Sequence, residues 1–343
     1  MTHRERLFRT LERKPVDYPA SWLGLPTSEA LPGLYRYFQV SSPTELKQKL
    51  RDDLFVVDIP YRSPTANHVA FAFDFARDGF KENTERTLTT PGYFADVTDL
   101  SAVDRFPWPD PVPHIDPEEC RRRVKDVPPD YPIMVAAWSI HYEATCAAFG
   151  MEAALVQMIA EPDLFRAVMD RITRFFLQAN EIFYRAVGSA IDLVLIGNDL
   201  GSQRGLLLSP AHIREFVLPG TRRLVEQAHA FGYKVMHHSC GSIADIIPDL
   251  IETGVDVIHP IQALSAGMEP ARLRAEFGDR VSFCGGVDAQ NLLVNGTPDQ
   301  VRQKVGELKR LFPTGLIFSP SHEAILRDTK PENIAALFAA VRE

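Results

Sequence analysis

The sequence predicts a (β/α)8 barrel, the TIM-barrel class, with an elaborated N-terminal half. Three observations carry this: apolar runs alternate with amphipathic helical stretches, the runs number eight, and most of them end in polar or metal-ligating residues. In the second half the runs are Asp192–Ile196, Lys234–His237, Asp256–His259, Val281–Cys284 and Gly315–Phe318. Helical patterns separate them, such as the stretch from Ser209 to Gly232, and strands alternating with helices pair in parallel through βαβ crossovers. Ser209-Pro210 and Thr297-Pro298 each place a capping hydroxyl before a proline at the first helical position. Gly232 and Gly254 stand where helices should stop. Three earlier runs, Tyr18–Leu23, Phe55–Pro60 and Met134–Trp138, complete the eight. Between the last two of these, A-F-A-F-D-F-A-R reads as a hairpin, and the prolines of F-P-W-P-D-P-V-P forbid regular helix. No repeat or linker divides the chain, so residues 1–343 are expected to form one domain. It would have an N-terminal helical segment and loop insertions before about residue 130.

A 45% hydrophobic fraction with 24% charged residues is that of a well-cored globule. The formal net charge of −8 supplies no global basic field, which argues against nucleic acid and anionic membranes as partners. A small molecule or a protein partner fits better, and a homodimeric assembly is admitted. The opening M-T-H-R-E-R-L-F-R-T-L-E-R is a charged helical pattern, neither signal peptide nor anchor, and no apolar run is long enough to span a bilayer. Four cysteines, at 120, 146, 240 and 284, make no disulfide framework, so the reducing cytoplasm is the expected compartment.

In such a barrel chemistry gathers at the C-terminal ends of the strands. Here those ends carry Asn198 and Asp199; His237, His238 and Cys240; His259 and Gln262; Cys284 and Asp288; His322 and Glu323; and, after the third run, His141, Tyr142 and Glu143. Plain roles compete with chemical ones. His237 and His238 alternate, so one points into the barrel and the other toward its helices. Cys284, within F-C-G-G, reads as a small buried core residue, and Cys120 and Cys146 as structural. Asp199 and Asp288 have the alternative of bonding loop amides. His238, Cys240 and His322 together are harder to dismiss. An imidazole and a thiolate two residues apart at a strand end are ligands that zinc takes, and a further histidine would leave the fourth position open, as catalytic zinc sites do.

The same stretches resemble the uroporphyrinogen decarboxylase superfamily, and within it the branch of cobalamin-dependent methyltransferases. The resemblance rests on G-N-D-L-G-S-Q-R-G-L-L-L-S-P, H-S-C-G, P-I-Q, F-G-D-R-V-S-F-C-G-G-V-D-A-Q and S-P-S-H-E-A-I-L-R-D-T-K-P-E-N-I-A-A. Earlier, R-E-R-L-F-R-T-L-E-R-K-P-V-D-Y-P and F-G-M-E-A-A-L-V-Q-M-I-A-E-P-D-L have the family cadence, so nearly the whole chain is covered. It implies the same barrel. The haem-pathway decarboxylase grips its polycarboxylate tetrapyrrole with an M-R-Q-A-G-R segment followed by L-P-E-Y-R. Here only Leu31-Pro32-Gly33-Leu34-Tyr35-Arg36 echoes it, which counts against that activity.

By resemblance, His238 and Cys240 match the His-x-Cys zinc pair of the methyltransferases. His322 falls where those enzymes place a later cysteine, with Cys284 as the fallback third ligand. The expected reaction moves a methyl group between a small methyl ether or thiol and a corrinoid (cobalamin) carried by a partner protein, as in O-demethylation. Asp199, Asp288 and Glu143 are then the catalytic candidates, with Glu323 an additional relay or ligand. Asn198, Gln262 and Tyr142 are the substrate contacts, and Phe283 a flanking ring. Two other readings stay open: a metal-free decarboxylase acting on another carboxylated substrate, and a barrel that binds a corrinoid or its carrier without catalysis.

Overall fold

The computed structural model of the chain describes residues 1–76, 87 and 89–343. Seven strands form one parallel sheet in chain order: β2 (Phe55–Asp58), β3 (Ile133–Trp138), β4 (Leu193–Gly197), β5 (Lys234–His238), β6 (Val257–Ile261), β7 (Ser282–Val287) and β8 (Leu316–Pro320). The eighth stave is the extended segment 20–23, which closes the curl. Trp22 N–H donates to Phe318 O at 2.9 Å, Phe318 N–H to Ala20 O at 2.8 Å, and Asp53 N–H to Ser21 O at 2.9 Å. All eight expected runs are therefore staves of the barrel, although Tyr18–Leu23 makes only a single ladder bridge, Ser21 with Phe318. A short pair, β1 (Leu25–Pro26) with β9 (Ala324–Ile325), flanks the mouth.

Period-two alternation sorts the side chains into two cores. Met134, Ala136, Leu193, Leu195, Met236, Val257, Cys284 and Ile317 fill the barrel's interior. Their neighbours Val135, Val194, Val235, Ile258 and Phe283 face outward under the helices. Because Met236 points inward, His238 must as well, while His237 points out beside Val235. This settles which of the two histidines reaches the mouth. Cys284 lies on the barrel floor, where burial pushes its thiol far above its ordinary range. Phe283 packs its ring on Phe312 at 5.8 Å, away from the mouth where it was expected to flank substrate.

The helices begin where their caps predict. Thr297 and Gln300 form a reciprocal capping box for Pro298–Leu311, and Ser209 caps Pro210–His212. The single helix expected from Ser209 to Gly232 is instead broken by a π turn, Ile213–Val217, before continuing as Leu218–Ala230. Pro219 explains the break, since it has no N–H to donate into the preceding turn and its ring displaces the carbonyl there. The expected hairpin is also absent from its described part. Val69–Phe71 is a 3-10 turn and residues 72–76 form no strand, while Arg77 lies outside the described residues. There Phe73 and Phe75 point their rings into a cluster with Phe106 and Trp108, so aromatic packing rather than strand pairing organises this segment. Among the described residues no helix is long and apolar enough to cross a membrane.

Candidate functional site

His238, the last residue of β5, stands at the centre of the mouth. Its Nε2 lies 3.4 Å from Cys240 Sγ and 3.2 Å from Asp199 Oδ1. Its Nδ1 lies 3.0 Å from His259 Nδ1 and 3.4 Å from Glu323 Oε2. Two groups of donor atoms thus share one imidazole: Asp199, His238 and Cys240 on one side, and His238, His259 and Glu323 on the other. His322 lies in neither group; its ring centroid is 6.3 Å from that of His238, and the neighbouring Cys240 raises its pKa. Its Nδ1 accepts Ala324 N–H at 3.0 Å, which leaves Nε2 as the nitrogen for the thiol or a metal.

Local structure holds this arrangement. Parallel register sets His238 beside His259, and Gly197 of β4 opposite His238. A Cβ at Gly197 would meet His238 Cβ at 2.7 Å, so only glycine lets the imidazole settle there. Trp138 and Ser139 adopt left-handed backbone, φ 55° and 53°, at the end of β3. Such conformations cost about 1–3 kcal/mol each in bulky residues. The turn sets the Trp138 ring edge-on to His238 at 5.5 Å.

The charges are mutually supporting. Burial opposes a proton on His238, but its bonds to Asp199 and Cys240 and the field of Glu323 outweigh that and raise its pKa well above the ordinary value. Burial likewise opposes ionisation of Asp199 and Cys240, yet His238 draws Asp199 down to about 2, and His238 with His322 lowers the Cys240 thiol. His259 is held neutral by burial and by its charged neighbour, so it accepts at Nδ1. Its Nε2 and Glu323 Oε2 are buried without hydrogen-bond partners among the described residues. His237, buried outside the barrel and pushed down to about 3 by burial, takes no part.

Glu143 and Asp199 are linked. Glu143 Oε1 accepts the Asp199 N–H, and Asp199 Oδ1 in turn accepts the Cys240 N–H at 2.9 Å. Burial raises Glu143 to about 7. In the unfolded chain such a carboxyl titrates near ~4.3, so the native state holds its proton more tightly. The stability this confers is complete below the unfolded value and is lost as pH rises through the folded one. In metal-free protein, Glu143→Gln is expected to gain on the order of 2 kcal/mol over wild type between pH 5 and pH 8. Melting curves at the two pH values check this; an unchanged offset would show that the carboxyl does not titrate there.

The remaining expected residues divide. Gln262 Oε1 accepts Gly241 N–H at 2.9 Å, tying the Cys240 loop to β6, and also lines a hollow beside His322. Asn198 is buried as a latch: its Oδ1 accepts Tyr142 N–H at 2.8 Å and its amide meets His141 Nδ1 at 3.2 Å. Tyr142 gives that site only its backbone, for its ring is buried in the outer core. Asp288 stands apart: its carboxylate accepts the N–H groups of Gln290, Asn291 and Leu292, bonding loop amides as the alternative had it. Cys284 belongs to neither donor group. His259 and Glu323 take larger parts than the sequence suggested. The available signals were register for His259, which lies within β6 opposite His238, and chain adjacency to His322 for Glu323.

The comparisons with known proteins agree with this fold. A methyltransferase from Methanosarcina mazei superposes with a TM-score of 0.69 at 17% identity, covering 99% of this chain and 98% of that one; such low identity speaks to the fold. In sequence, the uroporphyrinogen decarboxylase of Chlorobium limicola is 26% identical over 61% of this chain and 58% of its own length. A methylated-thiol--coenzyme M methyltransferase of Methanosarcina mazei is 26% identical over 55% of this chain and 47% of its own length. The chain thus spans about half the length of several curated relatives it matches, whereas the uroporphyrinogen decarboxylase of Chromohalobacter salexigens aligns over 99% of it at 23% identity. Residues 87–343, most of the chain, match the Uroporphyrinogen decarboxylase (URO-D) family, and to that family this (β/α)8-barrel protein belongs.

Proposed function

We propose that the protein is a zinc-dependent methyltransferase that moves a methyl group between a small molecule and a corrinoid borne by a partner protein. The observation that carries this reading is the cluster of His238 Nε2, Cys240 Sγ and Asp199 at the barrel mouth, with the His322 ring 6.3 Å from that of His238. One thiolate, two imidazoles and neighbouring carboxylates are a donor set that zinc accepts, and Glu323 Oε2, buried 3.4 Å from His238 Nδ1, adds a further acid beside them. His238, Cys240 and His322 would hold the ion, which when bound supplies a Lewis acid able to polarise an ether oxygen or keep a thiol ionised.

The chain's own groups do the rest. Asp199 fixes the Cys240 backbone and orients His238, while His259 sets which nitrogen of His238 faces the thiol. Glu143, poised near neutrality behind Asp199, is placed to give up or take a proton as the leaving oxygen or incoming thiol changes charge. Leu207, Leu264 and Leu326, exposed after β4, β6 and β9, offer apolar contacts around the mouth for a docking carrier. The absent arginine segment argues against the haem-pathway reaction. The test is to incubate zinc-loaded protein with reduced cobalamin and a methyl ether or methylated thiol. Protein-dependent appearance of the methylcobalamin spectrum is expected. Zinc binding without methyl transfer to either cobalamin or a corrinoid protein would defeat the proposal.

A further inference from the structure

Trp138 stands at the mouth beside His238 but outside both donor groups, and the chain is bent to put it there. An extra residue, Ala137, sits in β3 between the pair Ala136 with Leu195 and the pair Trp138 with Ile196. Such a bulge re-aims the side chain beside it. Ser139 N–H then donates back to Ala137 O at 2.6 Å, so Trp138 is the apex of a three-residue turn, with its φ of 55° in the left-handed region. The turn is pinned from behind. Ser139 is buried, and its hydroxyl accepts the Asn180 amide at 3.2 Å from the long helix Pro162–Val187.

The indole has one side committed and one open. It packs against the apolar barrel interior and meets the His238 ring at 5.5 Å and 79°, yet the residue is only partly buried. Its Nε1–H has no hydrogen-bond partner among the described residues. The other two tryptophans differ, for Trp22 is sealed in the interior and Trp108 donates its Nε1–H to Val103 O at 2.7 Å. Solvent reaches the place beside Trp138, because the Asp199 side chain is 48% exposed and Cys240 is partly exposed. Of the other rings packed on His238, His259 is fully buried and His322 is a candidate ligand. Tyr142 and Phe283 keep their rings in the outer core. A molecule that approaches Asp199 and Cys240 therefore meets the indole as its apolar wall. An indole prefers flat π partners, in offset-stacked or edge-to-face contact, over saturated rings of the same size.

We propose that Trp138 is the specificity-determining wall of the site, against which the body of the methyl-bearing substrate packs, and that it favours a flat aromatic body over a saturated one. The inference rests on the methyltransferase reading for its substrate but makes a claim about binding alone. The test uses the full-length protein, with and without zinc, and two ethers of one size, methoxybenzene and methoxycyclohexane. Calorimetric titration gives the affinities, and tryptophan emission is excited at the red edge, where neither ether absorbs. Methoxybenzene is expected to bind about three- to tenfold tighter than methoxycyclohexane and to change the emission. Trp138→Phe, which keeps a ring, should retain part of the preference and lose the emission response, whereas Trp138→Leu should bring the two ethers within about twofold. Both variants should match the wild type in zinc content, since the indole belongs to neither donor group. Equal binding by the wild type, binding of neither ether, a preference that survives Trp138→Leu, or an emission change that survives Trp138→Phe would each overturn the inference. Zinc lost from a folded Trp138→Phe variant would overturn it too, by showing that the ring serves to prop His238. Preference without methyl transfer would defeat only the catalytic reading; methyl transfer without preference would defeat only this one.

Discussion

Chains carrying His238→Ala, Cys240→Ser or His322→Ala are expected to lose zinc that the wild type holds at about one ion per chain, with affinity falling by more than the ~10–100-fold typical of groups that merely support a ligand. The expectation follows from shared geometry. His238 Nε2 and Cys240 Sγ already lie 3.4 Å apart, and the His322 ring, 6.3 Å from that of His238, keeps Nε2 available because Nδ1 accepts Ala324 N–H. Removing any one leaves two strong donors, fewer than zinc sites use. His259→Asn and Glu143→Gln, whose groups act through others, should fall within the ~10–100-fold range. Cys284→Ala should keep its ion, because that thiol sits on the barrel floor with the hydrophobic interior. Elemental analysis and competition with a chromogenic chelator read all of these. If His322→Ala keeps zinc while Glu323→Gln loses it, the ion belongs to the His238, His259 and Glu323 side, and the third ligand is the glutamate.

The barrel was legible because each parallel strand is buried on both faces and therefore reads as a short apolar run bounded by turn residues, as L-V-L-I-G does in β4. Even the first stave showed, although its pairing is a single bridge, because Ala20, Trp22 and Leu23 still had to be buried. What escaped was set by groups far apart in the chain. The fate of A-F-A-F-D-F depends on rings from Phe106 and Trp108; the π turn at Ile213–Val217, just before Pro219, is the local exception. At the site, His238 and Cys240 were readable from spacing and resemblance, and alternation allowed one histidine of the pair to face inward. It could not say which, since that required the phase fixed by Met236 in the interior. Asp288 and Tyr142 were misplaced for a common reason: a residue at a strand end has a side chain and a backbone, and sequence does not reveal which of them reaches the mouth. Asp288 spends its carboxylate on three amides, and Tyr142 turns its ring to the helices while its N–H serves Asn198.

At the opposite end of the barrel, Arg6→Ala is expected to cost about 3–5 kcal/mol of stability while leaving zinc content intact. Arg6 is 2% exposed, and its guanidinium meets Asp53 Oδ1 at 2.6 Å and forks onto Asp17 at 2.9 and 3.0 Å, stacked 3.7 Å over the Tyr18 ring. Asp53 is fully buried just ahead of β2, and its other oxygen accepts the Ser21 N–H at 2.9 Å, so it joins the N-terminal helix His3–Leu11, the first stave and β2 at one point. Without Arg6 that carboxylate keeps, among the described residues, only His3, at 2.7 Å, as a partner that can be charged. The penalty is that of an underpaired buried ion and exceeds anything a surface ion pair would show. Arg6→Lys should recover only part of it, since an ammonium cannot fork onto Asp17 while reaching Asp53. Urea unfolding gives the answer as a lowered midpoint at unchanged slope. Equal midpoints for Arg6→Ala and wild type would show that Asp53 takes up its proton or finds water instead. Loss of zinc along with stability in a variant that still unfolds cooperatively would show that the two ends of this barrel are coupled, against the division of labour in which the strand N-termini hold the fold and the C-termini carry the chemistry.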